Sequence, residues 1–144
     1  SNTTLAVIVQ KMVNSKVSGV AFSINPVTGT ENEIMIEATF GLGELLVQGM
    51  VTPDNYLVDK TSFEILKKNI PRKTTMLVYA NDKNEEQPVP ENKANGPCLD
   101  DAQIQELARL VADIEKYYKN PQDIEWAMEN AKFFVVQSRP ITTL

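Results

Sequence analysis

The chain has 144 residues, 42% hydrophobic and 23% charged, with a net charge of −5, the balance of one globular domain with a substantial core. The acidic surplus excludes the basic face that nucleic-acid binding needs, and no apolar run approaches the roughly 20 residues of a membrane-spanning helix. Histidine is absent, which removes a histidine base, metal ligand or phosphohistidine carrier from this chain. The single Cys98 has no partner for an internal disulfide and no secretory leader opens the sequence, so a cytoplasmic location is expected.

Leu5 to Val13 ("LAVIVQKMV") reads as a buried strand, broken at Gln10 and Lys11. A strand leaving its sheet there exposes backbone groups that could pair with an adenine edge. Val17 to Ile24 is a second strand, and Gly19 inside it points to a close backbone approach or a bulge. The turn Asn25–Gly29 follows, then a strand from Glu33 to Thr39 that runs into "FGLGE". A short helix is predicted from after Gly43 to about Gln48, stopped by Gly49. Gly41 and Gly43 stand where backbone amides can hold anions. Leu46 replaces the third glycine of a dinucleotide fingerprint, so a tight strand-to-helix turn explains the motif as well. Glu44 suits the first helical turn without any catalytic role.

Tyr56 to Val58 and Phe63 to Lys67 alternate around "DKTS", predicting a hairpin at a solvent-facing edge. Thr74 to Ala80 is a further strand. From Asn81 to Pro97 no apolar period survives, which predicts a long surface loop. The helix after Asp100 carries the stripe Ile104, Leu107, Ala108, Val111, Ile114 and Tyr118. Asp100 and Gln103 have capping-box spacing, and Asn120 and Pro121 stop the helix. Without repeats or a domain boundary, residues 1–144 read as a single α+β unit with a mixed or antiparallel sheet.

The last predicted hairpin, "DIEWAMENAKFFVVQSRP", raises a question of parity. Asp123 and Glu125 share one face of their strand, as do Gln137 and Arg139 of theirs. A two-residue loop at Asn130 and Ala131 sends the two polar pairs to opposite faces, burying one of them. A three-residue loop, Asn130 to Lys132, sets Glu125 opposite Gln137 and Asp123 opposite Arg139, with Ile124, Trp126, Val136 and Ser138 on the other face. Burying an unpaired carboxylate costs several kcal/mol, so the odd loop is expected. The resulting polar face fits three uses. One is a structural Asp123–Arg139 ion pair. Another is a glycosidase-type carboxylate pair, which a spacing of two on one strand suits poorly. The third is a Mg²⁺ and phosphate site, with oxygen ligands for the cation and a guanidinium for phosphate. That reading alone gives Gln137 a purpose.

In order, "VIVQKMV", "VSGVAFSINPVTG", "IEATFGLGE", "VTPD", "PQDIEWA" and "QSRPIT" resemble the nucleotide-binding domain of phosphoenolpyruvate synthases and pyruvate phosphate dikinases. The resemblance runs from about Leu5 to Thr142 and is weakest over Asn81 to Pro97. It implies an ATP-grasp fold, of which this chain matches the second of two lobes, with Mg²⁺ as cofactor and ATP as substrate. Asp123, Glu125 and Gln137 match positions that hold Mg²⁺ and the ATP phosphates. Arg139 matches a catalytic arginine at the phosphates, and Gln10, Lys11, Met12 and Val13 match an inter-lobe hinge that recognises adenine. The implied partners are the other domains of a longer enzyme: an N-terminal lobe, a phosphohistidine domain and a pyruvate-binding barrel. This lobe alone is then expected to be inactive. The family's final turn commonly reads Asp-Gly-Lys, where this chain has Asn130-Ala131-Lys132. Rifampin phosphotransferases and glucan dikinases share much of the pattern, and a non-catalytic nucleotide-binding module is a further reading. The acceptor therefore stays open.

Overall fold

A computed structural model of the chain describes residues 16–142; the predicted Leu5–Val13 strand lies outside them. The elements in order are β1 (Val17–Phe22), β2 (Glu33–Phe40), α1 (Glu44–Val47), β3 (Asp54–Asp59), β4 (Ile65–Asn69), β5 (Thr75–Ala80), β6 (Lys83–Pro88), α2 (Glu91–Ala94), α3 (Asp101–Tyr118), β7 (Gln122–Glu129) and β8 (Lys132–Pro140). Among the described residues, six strands form one antiparallel sheet in the order β4-β3-β2-β1-β7-β8, and β5 pairs with β6 as a separate ribbon. The expected α+β class holds.

Helix α3 lies along one face of the sheet. Its apolar stripe buries Ile104, Leu107, Ala108, Val111 and Ile114 among Ile34, Ile36, Tyr56, Val58, Ile124 and Trp126. Each such side chain withdrawn from water contributes about 2 kcal/mol, so this face is the core. The predicted capping box forms: Gln103 N donates to Asp100 Oδ1 at 2.8 Å, and Asp100 N donates to Gln103 Oε1 at 2.9 Å. The buried stripe ends one turn earlier than predicted, because Tyr118 stays exposed and stacks edge-on against Tyr117. Gly19 marks a close approach rather than a bulge. A Cβ there would lie 1.8 Å from the Glu37 carbonyl oxygen, so no other residue fits.

The segment read as a loop from Asn81 to Pro97 contains both β6 and α2. The ribbon turns through Asn81 and Asp82, whose φ of 54° and 63° give a two-residue hairpin loop. Its polar composition reflects a strand, β6, that is exposed along most of its length, while Val89 and Ala94 are buried. Cys98, in a polar stretch of sequence, is buried too. That burial, followed by the Asp54 carboxylate, pushes its thiol far above the usual range, so it stays protonated and unreactive.

Candidate functional site

The β7–β8 hairpin reaches the predicted arrangement by a different device. Its loop has two residues, Asn130 and Ala131, with φ of 54° and 60° and Glu129 opposite Lys132. The expected three-residue loop is therefore corrected. A left-handed two-residue turn matches the twist of the strands, and the parity change comes from a bulge further along. Trp126 pairs with Val135, whereas Glu125 pairs with Gln137 and Asp123 with Arg139, so Val136 opposes no residue. One extra residue moves every later side chain to the other face. Val135 thereby takes the core position expected of Val136, which is left 38% exposed.

Asp123, Glu125, Gln137 and Arg139 thus lie together on the sheet face away from α3. The carboxylates are half-buried, and Gln137 and Arg139 are exposed. The Arg139 Nε lies 3.5 Å from Asp123 Oδ2, a loose contact that leaves most of the guanidinium in solvent. On β1, Phe22 stands opposite Asp123 and Val20 opposite Glu125, giving the carboxylates an apolar floor on one side. Beyond Val20, on β2, comes Glu37, which the sequence reading placed in a strand without singling it out. The signal that could have found it is a lone carboxylate between the buried Ile36 and Ala38, which a strand covered on both faces would not carry. Partial burial raises the Glu37 carboxyl above the ordinary carboxylate value, opposed by a weaker hydrogen bond with Asn55.

The "GLGE" segment closes one end of this same face. Ser18 Oγ donates to the Gly41 carbonyl at 2.7 Å, and Leu42 N donates to Leu77 O at 2.8 Å. Gly41 has φ of 78°, and a Cβ on it would lie 2.3 Å from Leu77 O. Leu42, Leu45 and Leu77 make a small second core there. Glu44 reaches out to Gln48 and Asn84 at 3.5 and 3.4 Å and is exposed. Gln10, Lys11, Met12 and Val13 lie outside the described residues. A groove of about 680 Å³ lies elsewhere, lined by Val17, Phe40, Met76, Val78 and Cys98 among others and by none of the four polar residues.

Among the described residues, no three His, Cys, Asp or Glu side chains converge into a metal cage. Asp123, Glu125 and the Gln137 carboxamide instead offer hard oxygens from two strands, with Glu125 and Gln137 directly opposed at a cross-strand Cβ spacing of about 5 Å. Magnesium is commonly held in this incomplete way, by one or two carboxylates with phosphate and water supplying the rest. The residues fit that ion in the presence of a phosphate ligand and do not form a self-sufficient site.

Comparison with known proteins gives several relatives of similar sequence. A probable phosphoenolpyruvate synthase of Methanocaldococcus jannaschii is 46% identical over 142 residues, covering 97% of this chain and 12% of the relative. Another, of Archaeoglobus fulgidus, is 48% identical over 141 residues, covering 98% and 19%. The phosphoenolpyruvate synthase of Pyrococcus furiosus is 47% identical over 154 residues, covering 100% and 19%. The chain therefore spans between 12% and 19% of the length of these relatives. The model for the AMP/ATP-binding domain of pyruvate phosphate dikinase matches residues 1–144, and the chain belongs to that family.

Proposed function

We propose that this chain is the Mg-ATP-binding lobe of a phosphoenolpyruvate synthase-like enzyme, the second lobe of an ATP-grasp module in the cytoplasm. Its ATP would phosphorylate a histidine on another domain, for transfer to pyruvate. The observation that carries this reading is the gathering of Asp123, Glu125, Gln137 and Arg139 on one open sheet face, in a chain of the AMP/ATP-binding family.

Asp123, Glu125 and Gln137 would hold Mg²⁺, which would supply positive charge against the phosphates of ATP. The half-buried carboxylates sit on a rigid two-strand support, so their oxygens need little reorganisation on binding. Arg139 would exchange its 3.5 Å contact with Asp123 for a phosphate oxygen, where a planar guanidinium binds best. Gln137 offers a neutral acceptor to the cation without adding repulsion toward the phosphates. Gln10 to Val13 would meet the adenine through their backbone. This lobe's contribution is positioning and charge neutralisation, which dominate phosphoryl transfer. The acceptor histidine must come from another domain, since this chain has none.

The test is Glu125→Ala in the full-length protein. ATP-dependent labelling of the histidine should fall below detection, while labelling of the same histidine from phosphoenolpyruvate continues. Loss of both reactions in a folded protein would remove the ATP role from this face.

A further inference from the structure

The family motifs "PQDIEWA" and "QSRPIT" contain two residues that the proposed site does not use, Gln122 and Ser138. Gln122 is 1% exposed and lies on the helix side of β7. Ser138 Oγ donates to Gln122 Oε1 at 2.8 Å, directly behind the polar face. The Gln122 side chain is held in turn by donation from Nε2 to Asn120 O at 3.2 Å. Its backbone is pinned to Ser23, with Gln122 N donating to Ser23 Oγ at 2.7 Å and Ser23 N donating to Gln122 O at 3.0 Å. Ser23 Oγ then donates to Glu115 Oε2 at 3.0 Å, and Lys60 Nζ donates to Glu115 Oε1 at 2.8 Å. A chain of polar contacts runs from α3 to the back of the candidate site.

The bulge explains what such a chain is for. A strand pair with one unpaired residue has a competing register in which the bulge is squeezed out. Val136 would then oppose Glu125, Gln137 would oppose Ile124, and Arg139 would oppose Gln122. The polar pair would turn toward α3 and the face would lose half of its groups. In that register Ser138 moves to the opposite face and cannot reach Gln122, whose buried Oε1 is left without its donor. The Ser138–Gln122 bond therefore exists in the bulged register and is lost in its competitor.

We infer that Gln122 and Ser138 are positioning residues that lock the β7–β8 register, holding Gln137 and Arg139 beside Asp123 and Glu125. The consequence for ATP rests on the reading proposed above, whereas the lock itself does not. A site that is competent in only a fraction of molecules shows an affinity reduced by that fraction, and saturating ligand restores the competent form. Weakening the lock should thus raise KM for Mg-ATP and leave kcat near wild type.

The experiment is Ser138→Ala in the full-length protein, with Ser138→Thr as the conservative replacement and Gln122→Met as an independent removal of the acceptor. Hydrogen exchange over 137–140 should quicken about tenfold in Ser138→Ala, while exchange in the turn-proximal part of β8 is unchanged. KM for ATP-dependent histidine labelling should rise in proportion to the competent fraction lost, with about tenfold as the ceiling, and Ser138→Thr should restore both values. Gln122→Met should repeat the Ser138→Ala result. Unchanged exchange in both alanine and methionine variants overturns the lock, and faster exchange with an unchanged KM overturns its positioning role. If the unaltered protein shows no ATP-dependent labelling, the functional reading fails instead, and the exchange measurement alone decides the lock.

Discussion

Glu37 shows how one residue can be placed against stability. Its carboxyl is raised chiefly by burial, with Asn55 opposing the shift, and it lies one strand beyond Val20 from Glu125. A carboxyl with a raised folded-state value binds its proton more tightly in the folded chain than in the unfolded one. Its stabilising contribution is present below the unfolded value, near 4.3, and is lost as the pH rises through the folded one. Glu37→Gln should therefore raise the melting temperature at pH 7, with the gain shrinking toward pH 4. A melting series in which the difference is flat with pH, or grows on acidification, would contradict that assignment. This sheet face thus carries a carboxyl whose ionised form its partial burial disfavours.

At the level of the element, the last hairpin combines a turn and a bulge that each carry a cost. Asn130 tolerates the left-handed region, but Ala131 at φ of 60° has a Cβ that the conformation disfavours by about 1–2 kcal/mol. Glycine removes that penalty and returns part of it as unfolded-state entropy. Ala131→Gly should raise stability by about 1 kcal/mol, read as a higher urea midpoint at unchanged slope; a lower midpoint would refute the turn geometry. This hairpin also marks how far the sequence could be read. The facing of Asp123 with Arg139 and Glu125 with Gln137 was legible, because burying a polar pair is expensive whatever the loop does. How the chain achieves it was not, since a bulge at Val136 and an odd loop satisfy the same parity and differ only in backbone geometry. Strand β6 was missed for a related reason, although its partner β5 was expected. Most of β6 is exposed, so no apolar alternation announces it, and Asn81-Asp82 was the turn signal available.

For the whole molecule, the decisive question is what joins the ribbon and the "GLGE" segment to the six-stranded sheet. The "VTPD" motif supplies the answer through Asp54, which is fully buried at the start of β3. Its Oδ1 accepts from Lys73 Nζ, itself 4% exposed. Its Oδ2 accepts from Tyr56 OH and from Cys98 N, both at 2.7 Å. Lys73 N also donates to Ala94 O at 2.8 Å, and Lys73 Nζ to Pro71 O at 2.8 Å. One buried carboxylate thereby ties together β3, the lead into β5, and the segment that enters α3. β5 carries the Leu77 carbonyl against which Gly41 packs, so the tie extends to the edge of the candidate site. From sequence, Asp54 and Lys73 are merely a motif residue and a surface-type lysine, because a buried ion pair between residues 19 apart has no local signature. Removing one member of such a pair leaves the other charge buried without its counterion, at a cost of about 3–5 kcal/mol. Lys73→Met should accordingly lower stability by about 3 kcal/mol, a fall of roughly 10 °C in melting temperature. Adding Asp54→Asn should recover a good part of that loss, since a carboxamide still offers an acceptor oxygen to Tyr56 and Cys98 without a buried charge. A Lys73→Met protein within about 1 kcal/mol of the parent would mean that water reaches Asp54, and the tie between ribbon and sheet would have to be sought in apolar packing alone.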